Sequence, residues 1–493
     1  MKKYILIILC CLTSFPLWSY NVNMIVEHYS VDQGLPNNTV NCTLKDRDGF
    51  IWFGTWYGLC CFDGVKFKTF NKQEHDSDVP PRKIQRIVED KNGYIWVKTI
   101  DRKLYVFNKV TECFHAVYDD MKNYSENIQV IKLQNTAEGD VLLLTKDKNL
   151  LLAGVDEKGQ VTIKILFDSR DEINKHDYTL KHHVLCETEE YISWIGTDYK
   201  VSAVHKGAEL ASRPADFITS KINSGDKDSF TSFFEDGRKV WVGDRAGIFY
   251  SIDVRTGLVN RYVLSEIKGA ISNLLVTPAG YVYLSVAGQG TYEYDLAERR
   301  LQKINTEMND AMVTHAFIDQ YDKIWFHENE KALIYYDPLN HTAKRFPFTM
   351  FGKITTLYSE DAGERGLFFL SPAGEAWLFD REHAEMVYIN KLKQLSNDRA
   401  NQQFYHLMLD NDGVLWLSSA DEGVYCMNFP KKQFNLLSLS PQSAGQENYT
   451  IGVRALFQSK SGDIWVGTRW QSVYRMDRNG VTKHVFSTGD EHI

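Results

Sequence analysis

The side chains in this sequence that could do chemistry do not form a recognised catalytic set. Neither a Gly-x-Ser-x-Gly nucleophile motif nor a His-Glu-x-x-His metal motif occurs. His182 and His183 are adjacent, but neighbouring residues on a strand point to opposite faces, which argues against a shared metal ion. Most of the many acidic residues lie in short turns, where turn formation explains them. The sequence therefore predicts no catalytic residue, no metal site and no cofactor.

The cysteines do not indicate a metal site or a defined disulfide. Two lie within the first twenty residues, and six follow: Cys42, Cys60, Cys61, Cys113, Cys186 and Cys426. None of these six forms a Cys-x-x-Cys pair, so metal-binding spacing is missing. Most lie in predicted strands, where a free cysteine acts as a small hydrophobe.

The N-terminus has the pattern of a secretory signal peptide, predicted over residues 1–19. Met1-Lys2-Lys3 is positively charged, Tyr4 to Leu12 is a short apolar stretch, and Thr13 to Tyr20 is a cleavage region. No later segment approaches the roughly 18 apolar residues of a membrane span. The net charge of −8 comes with no basic tract, so nucleic acid is not an expected partner. We expect a periplasmic protein.

The elements that must position any site are given by a phrase that recurs ten times. An apolar run is followed by a turn such as Asp48-Gly49, an aromatic strand, and a strand that ends in Asp or Asn. The aromatic strands align on Trp52, Trp96, Leu143, Trp194, Trp241, Tyr283, Trp325, Phe369, Trp416 and Trp465. A repeat of roughly 40–50 residues is typical of a β-propeller, in which each repeat is one blade. The fold class is therefore all-β.

Each repeat is interpreted as one blade of four antiparallel strands. In the first blade these are Thr39–Lys45, Phe50–Thr55, Leu59–Phe62 and Lys66–Phe70. The aromatic residue at the centre of the second strand is expected to pack between neighbouring blades, where its large area supplies much of their adhesion. These tryptophans are therefore expected in the core rather than in a row that stacks on sugars.

Ten repeats exceed the four to eight blades of most propellers, and a split into seven and three is predicted. The N-terminal propeller covers residues 20–340, and a partial second propeller of about three blades covers 341–493. The segment Met24 to Ser30 resembles an outer strand, and we expect it to close the seventh blade, around Trp325. Three blades cannot close a ring, so the chain is expected to be part of a longer product. A ten-bladed ring is the competing interpretation.

The first repeat resembles the opening of the two-component regulator propeller family. The matching residues run from Gln33-Gly34-Leu35-Pro36-Asn37-Asn38-Thr39-Val40 through Asp46 to Thr55, and from Gly58 to Gly64. Asp463 to Thr468 repeats the central phrase, and the resemblance extends over roughly residues 24 to 487. It is degenerate in repeats three, six and eight.

The resemblance implies a function in signalling. Propellers of this family form the periplasmic sensor of hybrid two-component systems in Bacteroidetes. Two seven-bladed propellers there precede a β-sandwich, a membrane helix, a histidine kinase, a receiver and a DNA-binding domain. The usual stimulus is an oligosaccharide from a polysaccharide under degradation, and a homodimer through the sensor is a further implied partner. This chain ends within the second propeller, so any membrane attachment would come from the regions it lacks, and we expect no kinase activity from it.

Ligand-binding residues are expected in loops at one end of the ring. Loops between second and third strands should face the same end as the loops that lead into first strands. Aromatic side chains there could stack on a sugar, and arginines could bind hydroxyls, sulfates or carboxylates. The predicted binding residues are Trp56, Tyr57, Arg82, Arg102, Tyr199 and Arg245. The alternative for each is an ordinary solvated loop residue.

Two other classes of function stand beside the sensor. Propellers also carry enzymes, and fold alone does not choose among functions. Scattered carboxylates do not define a glycosidase, because the catalytic pair requires a specific separation in space. An extracytoplasmic lyase or glycosidase and a protein-interaction scaffold are therefore the alternatives to a non-enzymatic sensor of an oligosaccharide or other small ligand.

Overall fold

The residues that the structure describes form ten four-stranded antiparallel sheets. The computed structural model describes residues 25–70, 80–122, 129–146, 149–167, 180–187, 190–196, 201–207, 215–216, 230–304, 313–328, 331–351, 358–361, 366–371, 375–391, 404–428, 452–469, 472–477 and 482–487. The predicted signal peptide lies outside these residues. Helical structure in the described part is limited to a 3-10 turn at Val31–Gln33, the short helix α1 (Tyr118–Met121) and a 3-10 turn at Phe348–Phe351.

The described chain begins with strand β1 (Ile25–Tyr29), and eight sheets of consecutive strands follow. The first four sheets comprise β2 (Val40–Lys45), β3 (Ile51–Thr55), β4 (Gly58–Phe62), β5 (Phe67–Phe70); β6 (Ile84–Glu89), β7 (Ile95–Thr99), β8 (Leu104–Asn108), β9 (Cys113–Ala116); β10 (Val130–Asn135), β11 (Val141–Thr145), β12 (Leu150–Val155), β13 (Val161–Phe167); and β14 (Leu180–Glu187), β15 (Tyr191–Gly196), β16 (Val201–His205), β17 (Ala215–Asp216).

The next four sheets repeat this order of strands. They comprise β18 (Phe230–Glu235), β19 (Lys239–Asp244), β20 (Ile248–Asp253), β21 (Val259–Val263); β22 (Ile271–Val276), β23 (Tyr281–Val286), β24 (Gly290–Asp295), β25 (Arg300–Lys303); β26 (Val313–Ile318), β27 (Ile324–Glu328), β28 (Ala332–Asp337), β29 (Thr342–Pro347); and β30 (Tyr358–Asp361), β31 (Leu367–Leu370), β32 (Glu375–Asp380), β33 (Glu385–Lys391).

Two further sheets complete the described structure. The ninth joins β34 (Phe404–Leu409), β35 (Leu415–Ser419) and β36 (Val424–Asn428) to β1. The tenth contains β37 (Val453–Gln458), β38 (Ile464–Thr468), β39 (Ser472–Met476) and β40 (Thr482–Ser487). The strands of the first sheet lie within one residue of those predicted, so the interpretation of each repeat as one four-stranded blade is confirmed.

The acidic turn of the recurring phrase has a structural role. Asp46 Oδ1 accepts hydrogen bonds from the backbone N–H groups of Asp48 and Phe50, and its Oδ2 accepts one from the Trp52 indole at 2.8 Å. Gly49 closes the turn at φ 93°, where a side chain would be strained. One carboxylate therefore shapes the hairpin and satisfies the buried indole N–H, and the second and ninth sheets repeat this arrangement at Asp90 and Asp410.

In the first, second, fifth, sixth, seventh and ninth sheets the aromatic residue of the second strand packs against the following sheet, as predicted. Trp52 lies 5.5 Å from Phe107 of the second sheet, measured between ring centroids. Trp325 of the seventh sheet lies 5.4 Å from Phe369 of the eighth. Both tryptophans are almost completely buried. Removal of such an area from water is the main source of adhesion between sheets.

Two of the predicted anchors are wrong by one residue. In the third sheet Leu142 packs toward the fourth, whereas the predicted anchor Leu143 packs back toward the second. In the eighth sheet Phe368 packs toward the ninth, and the predicted anchor Phe369 packs toward the seventh. Side chains alternate along a strand, so a slip of one residue exchanges the two faces. Both errors fall in repeats that lack the central tryptophan.

The first nine sheets pack in a closed circuit. Nine apolar clusters each join two successive sheets, from the first through the ninth. The last of them unites Phe53 of the first sheet with Trp416 of the ninth, whose ring centroids lie 5.9 Å apart. First strands of neighbouring sheets contact one another, as β2 contacts both β6 and β34. We call the surface formed by these first strands the inner face.

The prediction that the segment Met24 to Ser30 closes the seventh sheet is wrong. β1 pairs with β36 of the ninth sheet, from Ile25 opposite Asn428 to Tyr29 opposite Val424. The seventh sheet already has its own outer strand, β29, paired with β28. The edge of β36 would otherwise expose unpaired backbone groups, and β1 satisfies them.

The seven-blade count and the boundary predicted at 340/341 are not confirmed. Trp325 of the seventh sheet shares a core cluster with Phe369 and Phe379 of the eighth, across residue 340. The two compact units of the structure are Met1–Phe429 and Pro430–Ile493. The second unit holds the tenth sheet, whose own small core contains Val466, Tyr474 and Met476.

Candidate functional site

The loops between second and third strands lie at the same end of the sheets as the loops that lead into first strands. The backbone N–H of Lys83, just before β6, donates to the carbonyl of Trp56, in the β3–β4 turn, at 2.9 Å. Ile100, in the β7–β8 turn, donates in turn to the carbonyl of Lys83 at 2.9 Å. The predicted sharing of one end by these loops is confirmed, and we call it the loop end.

The predicted aromatic residues Trp56 and Tyr57 form an exposed pair at the loop end of the first sheet. Trp56 is 36% exposed and Tyr57 is 61% exposed. The Lys83 ammonium lies 5.1 Å from the Trp56 ring centroid, which holds a cation against the ring face. Because both side chains are exposed, a ligand can reach these rings. A binding role for them stays a prediction.

The predicted arginines are distributed over two separate parts of the circuit. Arg82 is exposed just before β6, and Arg102 is half-buried in the β7–β8 turn, so both lie near the aromatic pair. Arg245 is exposed in the β19–β20 turn of the fifth sheet. Tyr199 lies outside the described residues. The structure thus brings together Trp56, Arg82 and Arg102 on adjacent sheets but not Arg245.

A regular break in pairing shapes the inner face. In seven sheets of the closed circuit the register between first and second strands shifts after the first residue, as between Val40 and Cys42 in β2. Such a bulge adds an unpaired residue and re-aims the side chains around it. Asn41 is the unpaired residue in β2, and its side chain donates to the Ile84 carbonyl at 2.6 Å. The Thr231 hydroxyl likewise donates to the Ile271 carbonyl.

Sequence reasoning missed two cations next to this break in the second sheet. Arg86, the third residue of β6, is paired in register with Lys98 of β7. Lys98 is 6% exposed, and its ammonium donates to Gln85 Oε1 and to the Ile131 carbonyl, both at 2.7 Å. Burial, together with the Arg102 and Arg86 guanidiniums, lowers the pKa of Lys98 to about 8.

A signal for this site was present in the sequence. The second strand of the first sheet reads Ile51-Trp52-Phe53-Gly54-Thr55, and the second sheet has Lys98 where the first has Gly54. In the first sheet a Cβ at that glycine would collide with Cys42 Sγ and with Ile84. A lysine there is a departure from the repeat, not a requirement of the fold.

Arg86 also influences the neighbouring first strands. It contributes, after burial, to lowering the pKa of His406 on β34 to about 4. Burial raises the pKa of Cys42 on β2 to about 12, and Arg86 opposes that increase. His406 is therefore neutral at pH 7 and adds no further positive charge beside Arg86.

A second feature of the inner face is a depression of about 600 Å³ formed by the first strands of the fifth, sixth and seventh sheets. Its lining residues are Thr231–Phe234, Ser272–Leu275 and His315–Ile318. They offer hydroxyl, amide and imidazole groups beside phenylalanine rings, and none of them is acidic. The Ser232 hydroxyl is buried and has no hydrogen-bond partner among the described residues. We call this depression the inner pocket.

Another depression, of about 680 Å³, lies between the outer parts of the fifth and sixth sheets. Its lining includes Tyr262, Tyr294, Lys239, Arg261 and Arg299. The Tyr262 ring stacks on Phe249, with centroids 4.6 Å apart and nearly parallel planes, so part of this aromatic surface belongs to the core.

An acidic group at the opposite end of the first sheet is already neutralised. Asp46, Asp48 and Glu89 could together offer three oxygen ligands to a metal ion. The Lys109 ammonium lies among them, 3.1, 2.7 and 2.8 Å from their carboxylate oxygens. This group is therefore a salt-bridge network that joins the first and second sheets.

Comparison with known sequences links the chain to a family of signalling propellers. Residues 34–57 match the sequence profile of the two component regulator propeller family, so the resemblance predicted from the first repeat is confirmed. No helix in the described part of the chain is long and apolar enough to cross a membrane. A comparison with curated protein sequences finds no match.

Solved structures with similar folds include two extracellular domains from B. thetaiotaomicron. One is assigned to the hybrid two component system BT3049, with 15% identity over 94% of this chain and 67% of that chain and a TM-score of 0.32. The other is assigned to the hybrid two component system BT4673, with 15% identity over 94% of this chain and 67% of that chain and a TM-score of 0.31. Another alignment with the BT4673 domain spans 61% of that chain.

A third similar structure is an enzyme. Virginiamycin B lyase from Staphylococcus aureus aligns at 8% identity over 82% of this chain and 99% of that chain, with a TM-score of 0.32. At such identities the likeness concerns the fold alone, and activity has to be argued from the site.

Proposed function

We propose that this chain is a ligand-sensing portion of an extracytoplasmic signalling protein of the two-component type, and that it binds a glycan-derived oligosaccharide without converting it. The observation that carries the proposal is the inner pocket. Its hydroxyl, amide and imidazole groups are suited to hydrogen bonds with sugar hydroxyls. The match of residues 34–57 to a signalling propeller family supports the assignment to a sensor.

The chemistry of the inner pocket disfavours glycoside hydrolysis. A glycosidase requires two carboxyl groups about 5–10 Å apart on either side of the bond that is cleaved. None of the described residues that line the inner pocket is Asp or Glu. Asp46, Asp90 and Asp410 are each engaged with a turn and an indole. We therefore favour binding over catalysis.

The proposal is tested by calorimetry with a panel of oligosaccharides of different backbone and charge, using the chain without its first 19 residues. We expect at least one to bind, and to bind about tenfold more weakly to Asn273→Ala, because a hydrogen bond shielded from water contributes about 1 kcal/mol or more. Glu298→Ala, in the exposed β24–β25 hairpin, is the control and should bind normally. Failure of the whole panel to bind a folded chain would reject the proposal.

A lyase or glycosidase is the alternative function that the fold allows. Each oligosaccharide that binds is incubated with the chain, and the mixture is analysed for new reducing ends or unsaturated products. We expect the ligand to be recovered intact. If the chain converts an oligosaccharide and a variant of the inner pocket does not, the sensor proposal is rejected in favour of an enzyme.

A further inference from the structure

Three cationic side chains converge at the loop end of the second sheet. Arg86 and Lys98 face each other across β6 and β7, and Arg102 lies in the turn that follows β7. Both guanidiniums are close enough to Lys98 to lower its pKa, in addition to the effect of burial. We call these three residues the cationic cluster.

The cationic cluster lacks a counter-ion among the residues that the structure describes. Lys98 donates to neutral oxygens, those of Gln85 and Ile131. The Arg86 and Arg102 side chains make neither a hydrogen bond nor an ion pair with any described residue. Three neighbouring cations without a carboxylate repel one another, and the buried ammonium of Lys98 has no charged partner to compensate for its loss of water.

Several other cations that are shielded from water are paired with carboxylates in the part of the chain that the structure describes. Lys109 contacts three carboxylates. Arg381 contacts the carboxylates of Asp361 and Asp319. Lys206, which is 9% exposed at its side chain, contacts Glu187 at 2.6 Å. The cationic cluster differs from these three cations because it lacks a carboxylate partner among the described residues.

The fold does not need a lysine at this position. Gly54 and Gly243 occupy the corresponding positions of the first and fifth sheets, opposite Cys42 and Ser232. Those sheets pack their first and second strands without any cation there. A costly charge that the scaffold does not require is typical of a functional site.

We propose that Arg86, Lys98 and Arg102 form a binding site for an oxyanion, a sulfate or carboxylate group carried on a sugar. Guanidinium groups bind such groups through paired, charge-assisted hydrogen bonds, and an ammonium adds a point charge. Arg86 is exposed on the inner face, so a ligand group can reach it without unfolding. Trp56 and Tyr57, on the adjacent sheet at the same end, could contact the sugar ring. The part of this inference that names a sugar rests on the proposed function, whereas the part that names an oxyanion does not.

The test is calorimetry of the chain without its first 19 residues with four probes. These are inorganic sulfate, a sulfated disaccharide, a disaccharide with an unsulfated uronic acid, and a neutral disaccharide of the same linkage. We expect an anionic sugar to bind at least tenfold more tightly than its neutral counterpart. Tighter binding of the sulfated disaccharide would identify sulfate as the group that the site recognises, and tighter binding of the uronic acid would identify carboxylate.

Variants then assign the binding to the cationic cluster. Arg86→Ala and Arg102→Ala should each weaken binding of the anionic sugar about ten- to hundredfold, because hydrogen bonds to charged groups contribute about 1.5–3 kcal/mol. Lys103→Ala is the matched control, since Lys103 lies in the same turn and is paired with Asp101 at 3.4 Å. Lys98→Gly, which restores the residue of the first sheet, should also weaken binding. Circular dichroism and thermal unfolding verify that each variant is folded.

Failure of this inference and failure of the proposed function give different results. Neutral sugars that bind as well as anionic ones, with Arg86→Ala unchanged, would overturn the oxyanion site and leave the sensor proposal standing. Sulfate that binds and depends on Arg86, with no sugar bound, would support the oxyanion site and reject the glycan. If the folded chain binds none of these probes and none of the oligosaccharides in the wider panel, both proposals are overturned.

Discussion

The cationic cluster and the inner pocket occupy equivalent positions of different sheets but present opposite chemistry. Both lie around the register break of the first strands, and both use the third residue of those strands, Arg86 in one and Ser232, Asn273 and His315 in the other. One presents three cations without a described counter-ion, and the other presents neutral polar groups and aromatic rings. The shared backbone geometry shows that the repeat supplies an equivalent position in each of these sheets, and the side chain at that position sets the charge presented there.

The largest expected effect comes from moving the cation of one region into the other. In Gly243→Lys a Cβ would collide with Ser232 Oγ and lie 2.7 Å from Ile271 Cγ2, and the described lining of the adjacent inner pocket offers the new charge no carboxylate. We expect a loss of roughly 3–5 kcal/mol in the free energy of unfolding, measured with denaturant. The reverse exchange, Lys98→Gly, should cost less than about 1 kcal/mol. If both variants lost the same free energy of unfolding, the fold would need the lysine at position 98 as much as it needs the glycine at position 243. The two positions would then not be equivalent.

The next effect separates the two regions by ligand. Arg86→Ala should weaken an anionic sugar about ten- to hundredfold and leave a neutral oligosaccharide unchanged, whereas Asn273→Ala should weaken the neutral oligosaccharide about tenfold. Calorimetry of both variants with both ligands measures this double separation. If each variant weakens both ligands equally, the two regions form one site and the comparison fails.

A third prediction concerns the stability cost of the cationic cluster. Lys98→Met removes a buried, unpaired charge and keeps the apolar length of the side chain, so we expect it to raise the free energy of unfolding by about 1 kcal/mol at pH 7. The pKa of Lys98, about 8, is below its ordinary value of 10.5. Between these two values the unfolded chain binds more protons than the native chain, so the wild-type protein should gain stability as the pH rises from 8 to 10.5. The difference between the wild-type chain and Lys98→Met should shrink over that range, and a constant difference would contradict the prediction.

A smaller effect is expected from pH on oxyanion binding. Affinity should fall several-fold between about pH 7 and 9 as Lys98 loses its proton, since the pKa of Lys98 is about 8. His406, whose pKa is about 4, stays neutral over this range. Calorimetry with inorganic sulfate at several pH values measures the change. The same series with Lys98→Met should be flat, and a decline in that variant would assign the pH dependence elsewhere.

The smallest expected effect tests the exposed aromatic pair. Tyr57→Ala should change the free energy of unfolding by less than about 0.5 kcal/mol, because the side chain is 61% exposed. Binding of an anionic sugar should weaken about two- to tenfold if the ring packs on the sugar. Tyr321→Ala, an exposed tyrosine in the β26–β27 turn at the opposite end, is the control. Equal affinities for the wild-type chain and Tyr57→Ala would restrict the ligand to the cations.

Much of each blade could be predicted from the sequence because its determinants are local. Asp46, Gly49 and Trp52 lie close together in the chain, and the carboxylate of Asp46 joins the turn to the buried indole. In the third repeat an aliphatic run, Val141 to Leu144, replaces the tryptophan, and alternation alone cannot choose a face there. The slip from Leu142 to Leu143 follows from this ambiguity, because every residue of the run is apolar and buried.

The candidate site was only partly predictable. Trp56 and Arg102 were expected at the loop end because hairpin topology fixes which loops share an end, and the backbone bonds through Lys83 confirm that arrangement. Lys98 was missed although its departure from Gly54 is visible in the sequence, since a strand pattern does not show whether a lysine finds a carboxylate. Nor could the pattern show that the first strands of three sheets form the inner pocket.

Local sequence was sufficient for the all-β class, the four-stranded blade and the buried role of the tryptophans, because turn residues and alternating apolar residues act over a few positions. The pairing of β1 with β36 and the closure of the circuit after nine sheets emerged only from the packing of the whole chain. The residue pattern of a short outer strand such as β1 does not indicate which sheet it will pair with. The choice of partner depends on which sheet edge is left unpaired once the other sheets have packed.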